Sequence, residues 1–221
     1  MPVWSKPTHL LSKVLIGSTL ALLLSTFAAN ARPSNFETNL KLKRPISETA
    51  TSSAAARIVT NFSEISYRHL DLGLQLALPT DWQLGAHYRA LRKKSNTDQW
   101  LREDRFYLQA EKRFSSSRTS WIAIRHRLES RSRQDKDHAY RYRISFKFKS
   151  TRTLFSRFKP FVSNEYFYDL NKHQRSANRF NIGLDLGRVN GVKHRVYLKF
   201  LSRQKNIHWN TQSSLVFKIE I

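Results

Sequence analysis

The sequence contains no cysteine, few acidic residues for its size and, beyond residue 31, no long hydrophobic run. Without cysteine the chain forms neither disulfide bonds nor a thiolate metal site, which excludes a disulfide-stapled secreted fold. The mean hydropathy of −0.56 argues against a bundle of membrane helices, because a spanning helix needs roughly 18 consecutive apolar residues. The eight histidines are scattered along the chain, so we expect no metal site and no cofactor.

The N-terminus has the layout of a secretory signal peptide. Two lysines precede an apolar run from Val14 to Leu24, and Ala29-Asn30-Ala31 supplies the small residues that precede a cleavage site. We therefore predict a cleaved signal peptide at residues 1–31, with an uncleaved anchor as the alternative. Cleavage removes two lysines, so the net charge of +23 becomes +21 in a single domain. Residues 32–54 show little periodicity, and we predict a loose lead-in there.

Residues 138–149, HAYRYRISFKFK, alternate bulky apolar side chains with cations. Side chains of a strand point alternately to two faces, so one face of this segment is aromatic or aliphatic and the other is nearly all cationic. A single segment of this kind is also typical of a half-buried strand in a soluble sheet, with its basic face in water. The interpretation therefore depends on whether the pattern recurs.

The alternation recurs in nine segments between about residue 55 and the last residue. Turn-forming residues separate the segments, among them Pro79 to Asp81 and the strong hairpin signal Asn190-Gly191. The links are alternately short and longer, as the periplasmic turns and external loops of outer-membrane barrels are. We predict that residues 55–221 form an all-β, antiparallel, up-and-down transmembrane barrel of about ten strands, an even count that places both chain ends in the periplasm. A soluble sandwich rarely gives its solvent faces this density of arginine.

Four tryptophans open predicted strands at the two edges of this barrel. Trp82 and Trp121 lie at the inner edge, and Trp100 and Trp209 lie at the outer edge. Amphipathic aromatic rings are enriched where lipid meets water, so the sequence predicts two aromatic girdles.

The segments RHRLESR (125–131), YRYRISF (140–146), SNEYFYDL (163–170) and NRFNIGLDL (178–186) resemble, in this order and spacing, the domain of unknown function 2490 family of bacterial outer-membrane barrels. The similarity covers about residues 64 to 221. It implies a fold and a location, the outer membrane of a Gram-negative bacterium, since the family has no established activity. In its general pattern the chain is also similar to small porins for acidic oligosaccharides, which have an arginine-rich lumen.

In such a barrel the apolar residues at alternate positions of each strand contact lipid, and the charged residues between them, on what we call the lumen parity, face the lumen. The candidate anion-binding residues on the lumen parity are Arg105, Arg125, Arg127, Arg131, Arg141, Arg143, Arg179, Arg195, Lys199 and Arg203. The same parity holds several acids, and we predict that the arginines pair with three of them: Glu129, Glu165 and Asp185. Guanidinium groups present forked donors to carboxylates, phosphates and sulfates, so a ring of them favours anions.

The sequence is compatible with two states of this lumen. Arginine and glutamate side chains either pair across neighbouring strands and fill the interior, or leave a narrow anion-selective porin for acidic solutes. Eight strands enclose an interior just filled by side chains and about sixteen leave an aqueous channel, so a ten-stranded barrel lies near the closed limit.

Other classes of function have less support from the sequence. No serine and histidine pair stands near an acid at a spacing that suggests a nucleophile and its base, so we expect no enzyme. A surface protein that binds polyanions or lipopolysaccharide is a third hypothesis, because Arg92-Lys93-Lys94 falls in a predicted external loop. The expected partners are outer-membrane lipid and lipopolysaccharide, the barrel-assembly machinery and small anions. Nucleic acid is not among them, because the cations alternate inward instead of clustering in one run.

Overall fold

The protein forms a closed β-barrel. The computed structural model describes residues 33–221 apart from 62–63, 118, 135, 154–157 and 206–207, so the predicted signal peptide lies outside the described residues. In the described part no helix is long and apolar enough to cross a membrane. The eleven strands are β1 (Asn35–Pro45), β2 (Ala50–Thr60), β3 (Ile65–Ala77), β4 (Trp82–Lys94), β5 (Trp100–Ser117), β6 (Ser120–Arg133), β7 (Lys136–Ser150), β8 (Lys159–Asp169), β9 (Gln174–Val189), β10 (Val192–Lys205) and β11 (His208–Glu220).

Each strand pairs antiparallel with the next one along the chain, and β1 pairs with β11 to close the barrel. With eleven strands in up-and-down order the first and last run in the same direction, so the seam between them is parallel. We call the end where β1 and β11 begin the N-terminal end of the barrel, and the end where β11 finishes the C-terminal end. β1 therefore begins at one end of the barrel and β11 finishes at the other, which an even strand count would not allow.

The additional strand comes from the segment for which we expected a loose lead-in. Residues 35–45 form β1 and residues 50–60 form β2. The pattern of β2 is weak in sequence because Ser and Ala dominate it, and small residues carry little alternation of hydrophobicity. The two strands are needed in the fold because without them β3 and β11 would each present an unpaired edge.

The links between strands have two to five residues, apart from the eight residues 151–158 between β7 and β8. Asn190 and Gly191 have positive φ angles of 50° and 80° and form the predicted tight turn. At the other end the predicted longer loops are wrong: β6 continues to Arg133 and β7 begins at Lys136. Arg92-Lys93-Lys94, also predicted to be a loop, completes β4. Polar and charged residues here continue the strands because their backbones stay paired with neighbouring strands.

The two faces of the wall differ as the alternation predicts. In HAYRYRISFKFK, Tyr140 and Phe146 are exposed on the outside, whereas Arg143 and Ser145 are buried inside. In β3, exposed leucines alternate with the buried Asp71 and Gln75 in the same way. The outside is therefore a continuous apolar band, and the buried polar side chains project into the lumen.

Three of the four tryptophans predicted to form girdles lie on the outward parity, namely Trp82, Trp100 and Trp209. The fourth, Trp121, is on the lumen parity of β6, where Arg113 and Lys147 lie over its ring. The position of Trp121 at a strand start is as predicted, but its parity within β6 turns it inward.

Candidate functional site: a charged lumen

Glu129 lies at the centre of a group of arginines. It projects from β6, is fully buried and sits directly opposite Arg141 of β7 in the strand register. Arg141 donates from Nε to the Glu129 carboxylate at 2.9 Å, and Arg143 also donates to it. Arg127, two residues before Glu129 on the same strand, places Nη1 3.6 Å from Oε1. One carboxylate is therefore shared by three guanidinium groups.

Glu165 of β8 holds a second group beside the first. Arg143 donates to its carboxylate at 2.6 Å, Arg125 at 3.0 Å and Arg179 at 3.1 Å. Arg179 lies directly opposite Glu165 on β9, while Arg125 reaches it from β6, across β7. Arg143 thus bridges Glu129 and Glu165, and is itself only 3% exposed.

Two aromatic rings pack against these arginines. The guanidinium of Arg127 lies 4.1 Å from the ring centroid of Tyr107, and that of Arg143 lies 4.5 Å from the centroid of Phe167. Such cation–π contacts stabilise charges that are removed from water. We call the mid-lumen network the set formed by Tyr107, Phe167, Glu129, Glu165, Arg125, Arg127, Arg141, Arg143 and Arg179.

A third polar cluster, which sequence reasoning missed, joins this network through Tyr107. The Tyr107 hydroxyl donates to Asp71 of β3 at 2.6 Å, and Arg89 donates to the same carboxylate at 2.7 Å. His87 lies 3.1 Å from Asp71 and stacks on the Tyr107 ring with the centroids 4.7 Å apart. The available signal was the carboxylate of Asp71 on the inward parity of an otherwise leucine-rich strand.

Gly73 makes room for this cluster. A Cβ atom at residue 73 would lie 2.0 Å from Nδ1 of His87, so the imidazole occupies the space that any other residue would fill. The glycine thus allows His87 to lie against the wall of the barrel, in reach of Asp71.

A fourth cluster lies at the seam. Glu37 of β1, only 1% exposed, forms ion pairs with Arg57 of β2 and with Lys199 of β10. Because β10 and β2 flank the β11–β1 pair, these contacts link both sides of the parallel closure.

The remaining predicted residues lie toward the ends of the lumen. At the C-terminal end Asp185 accepts from Lys149 at 2.5 Å and lies 3.4 Å from Arg195. At the N-terminal end Glu103 accepts from Arg105 at 2.8 Å and from Arg131 at 2.5 Å. Arg203 differs from the others because it is exposed and donates to Gln212 at 2.9 Å, without a carboxylate partner among the described residues.

Cations exceed acids throughout this lumen. Eight inward carboxylates are each in at least one ion pair, namely those of Glu37, Asp71, Glu103, Glu111, Glu129, Glu165, Asp185 and Glu220. Asp169, which lies directly opposite Arg141, instead accepts hydrogen bonds from the backbone N–H groups of Asn171 and Lys172. Lys41 and Lys147, toward the C-terminal end, form no ion pair with a described residue. Within the described ranges, no group of three or more His, Asp or Glu side chains is placed to hold a metal ion.

The comparisons with known proteins agree with this architecture. A family model described as "Protein of unknown function (DUF2490)" matches residues 35–211. A solved structure described as "NanC porin structure in rhombohedral crystal form" is similar over 84% of this chain and 91% of that chain, with a TM-score of 0.57 and 14% sequence identity. At this identity the likeness shows the fold, a porin-type barrel. No curated protein matches the sequence.

Proposed function

The chain belongs to the DUF2490 family of proteins of unknown function. We propose that it is an outer-membrane barrel through which small anions pass. The membrane location is supported by the apolar outer band, in which large side chains such as Leu72, Leu74 and Phe106 are about half exposed. Exposed apolar surface of this extent is unfavourable in water and is what a lipid-facing barrel wall requires.

The proposed preference for anions is based on the excess of cations in the lumen. Eight inward carboxylates are already engaged by a cation, and Glu129, Glu165 and Asp185 are each engaged by three. Lys41 and Lys147 have no carboxylate partner among the described residues. The net field in the lumen therefore favours anions, and fixed guanidinium and ammonium groups supply donors to carboxylate, phosphate or sulfate solutes.

The mid-lumen network is the constriction of this passage. Glu129, Arg143 and Phe167 are at most 3% exposed, so their side chains occupy the lumen between β5 and β9. An eleven-stranded barrel is only slightly wider than one that side chains fill completely. This tight packing also favours a second candidate function, a closed barrel with a structural role, in which no solute passes the network.

The test is the current through planar bilayers that contain the refolded protein, measured as a reversal potential under a salt gradient. We expect small, steady conductances with an anion-selective reversal potential. Lys41→Gln combined with Lys147→Gln removes two lumen charges that hold no carboxylate, so it shifts the reversal potential toward zero without loss of folding. Inserted protein without any conductance favours the closed barrel instead.

The matched control removes two charges from the outside of the barrel. Lys112, which lies over the ring of Trp82, and Arg44 are both on the outward parity. Lys112→Gln combined with Arg44→Gln is expected to leave the reversal potential unchanged. Equal shifts in the two double variants would show that the selectivity arises from overall charge and not from the lumen.

A further inference from the structure

Three arginines form a row on the outward face near the N-terminal end of the barrel. Arg68 of β3 lies directly opposite Arg92 of β4, and Arg92 lies directly opposite Arg102 of β5. All three are exposed, and they alternate with inward residues such as the buried Leu91. Directly opposed residues on neighbouring strands have Cβ atoms about 5 Å apart, and like charges in such positions destabilise a sheet. The row is therefore unfavourable unless an anion joins it.

The protein itself places little negative charge beside this row. Arg102 donates from Nε to Asp104 at 2.8 Å, but Asp104 also accepts from the hydroxyl of Tyr88. Arg68 lies over the ring of Trp100 at 4.9 Å. The side chain of Arg92 forms no hydrogen bond or ion pair with a described residue. One carboxylate thus faces three guanidinium groups.

A neighbouring cation, Lys94, is neutralised by carboxylates of the protein itself. Lys94 is also on the outward parity at this end, and it is paired with both Glu64 and Asp98. The lack of a carboxylate near Arg68 and Arg92 is therefore a property of the row and not of the whole rim.

The row lies at the edge of the apolar band. The next outward residues toward the middle of the barrel are Leu70 and Ala90, followed by Leu72 and Tyr88. Two residues along a strand span about 7 Å, so the backbone of Arg68 lies about 7 Å from that of the outward Leu70. The outward ring of Trp100 beside Arg68 is typical of the same level, where lipid meets water.

We propose that Arg68, Arg92 and Arg102 bind the phosphate groups of a membrane lipid headgroup. The guanidinium fork matches phosphate geometry, and the spacing of the row lets one phosphate contact two neighbouring arginines. The inference rests on the proposed membrane location, and it is independent of conduction through the lumen. Lipopolysaccharide in one leaflet and anionic phospholipid in the other offer the same chemistry.

The experiment measures lipid bound to the refolded protein in neutral detergent by native mass spectrometry. The probes are lipid A, phosphatidylglycerol and the zwitterionic phosphatidylcholine. Loss of a charge-assisted hydrogen bond weakens binding about tenfold. We expect Arg92→Gln to weaken binding of lipid A or phosphatidylglycerol by about this factor, and the triple glutamine variant to weaken it further. Lys94→Gln is the matched control and is expected to bind like the native protein.

The outcomes distinguish the two lipid sources, and they separate a failure of the lipid-binding proposal from a failure of the proposed membrane location. A dependence on Arg92 with lipid A alone supports lipopolysaccharide, and one with phosphatidylglycerol alone supports phospholipid. Equal binding by the native protein, the triple variant and Lys94→Gln overturns the proposal. Heat-modifiable migration in gels confirms that each variant is folded. Folded protein that fails to insert into lipid vesicles would instead contradict the membrane location itself.

Discussion

Replacing Glu129 by Gln tests whether the ion pairs at the centre of the mid-lumen network are buried, as the exposure of Glu129 indicates. The substitution keeps the shape of the side chain and removes the charge that Arg127, Arg141 and Arg143 share. Arg143 retains Glu165 at 2.6 Å, so Arg127 and Arg141 are the groups that lose their carboxylate. Removing one partner of a buried ion pair typically costs about 3–5 kcal/mol, because the remaining charge stays buried and uncompensated.

The expected loss for Glu129→Gln lies near the lower limit of that range, about 3 kcal/mol, for two structural reasons. The glutamine carbonyl still accepts one hydrogen bond, and Arg127 keeps its contact with the ring of Tyr107 and its bond to Gln109 at 2.7 Å. The measurement is urea unfolding of the refolded protein in lipid vesicles, followed by tryptophan fluorescence, which gives the free energy of unfolding.

Glu111→Gln is the control, because Glu111 pairs with Arg113 at 3.2 Å and the Arg113 side chain is 56% exposed. An exposed pair contributes about 0–1 kcal/mol, so this variant should unfold almost like the native protein. If Glu129→Gln destabilises the barrel no more than Glu111→Gln does, water must reach Glu129. In that case the ion pairs of Glu129 are as exposed to water as that of Glu111, and the expectation drawn from the burial of Glu129 is wrong.

Two further predictions concern the packing and the register of the wall. Gly73→Ala places a Cβ where the His87 ring lies, so we expect the free energy of unfolding to fall by about 1–3 kcal/mol in the same measurement. Gly85→Ala is the control and should cost less, because its Cβ would have contacts of 3.1 Å. Equal losses in the two variants would contradict the role of Gly73. Cysteine substituted at Phe146 should be shielded by detergent or lipid from a polar maleimide, whereas cysteine at Lys149, on the inward parity near the C-terminal end of the lumen, should not. The reverse labelling pattern would mean that the register of β7 is wrong.

The faces of the strands were predictable because a period of two fixes the side of the wall for each residue once one residue is placed. The inward positions of Arg125, Arg143 and Glu165 follow from this period alone. Their partners do not, because Arg125 contacts Glu165 only through the registers of β6, β7 and β8 together. The cluster around Asp71 was missed for the same reason: its members come from three strands with no shared motif.

The strand count and the loops were harder to predict for a different reason. β1 and β2 hold their place through pairing with their neighbours, and the alternation in β2 is faint because small residues give no contrast between its faces. The family match from residue 35 includes both strands, whereas the resemblance seen in the sequence began at about residue 64. Charged residues at strand ends look like loops in sequence, although their backbones remain in the sheet.

The parallel seam has a consequence for how the barrel forms. Ten of the eleven strand pairings join consecutive strands, so each closes only a short loop of chain. The β1–β11 pairing brings together residues such as Ser34 and Ser213, which are 179 positions apart. Closing so long a loop carries the largest entropy cost of any pairing, and contacts distant in sequence form late. We therefore expect the hairpins to form before the seam, and the ion pair between Glu37 and Lys199, which crosses the seam, to form last.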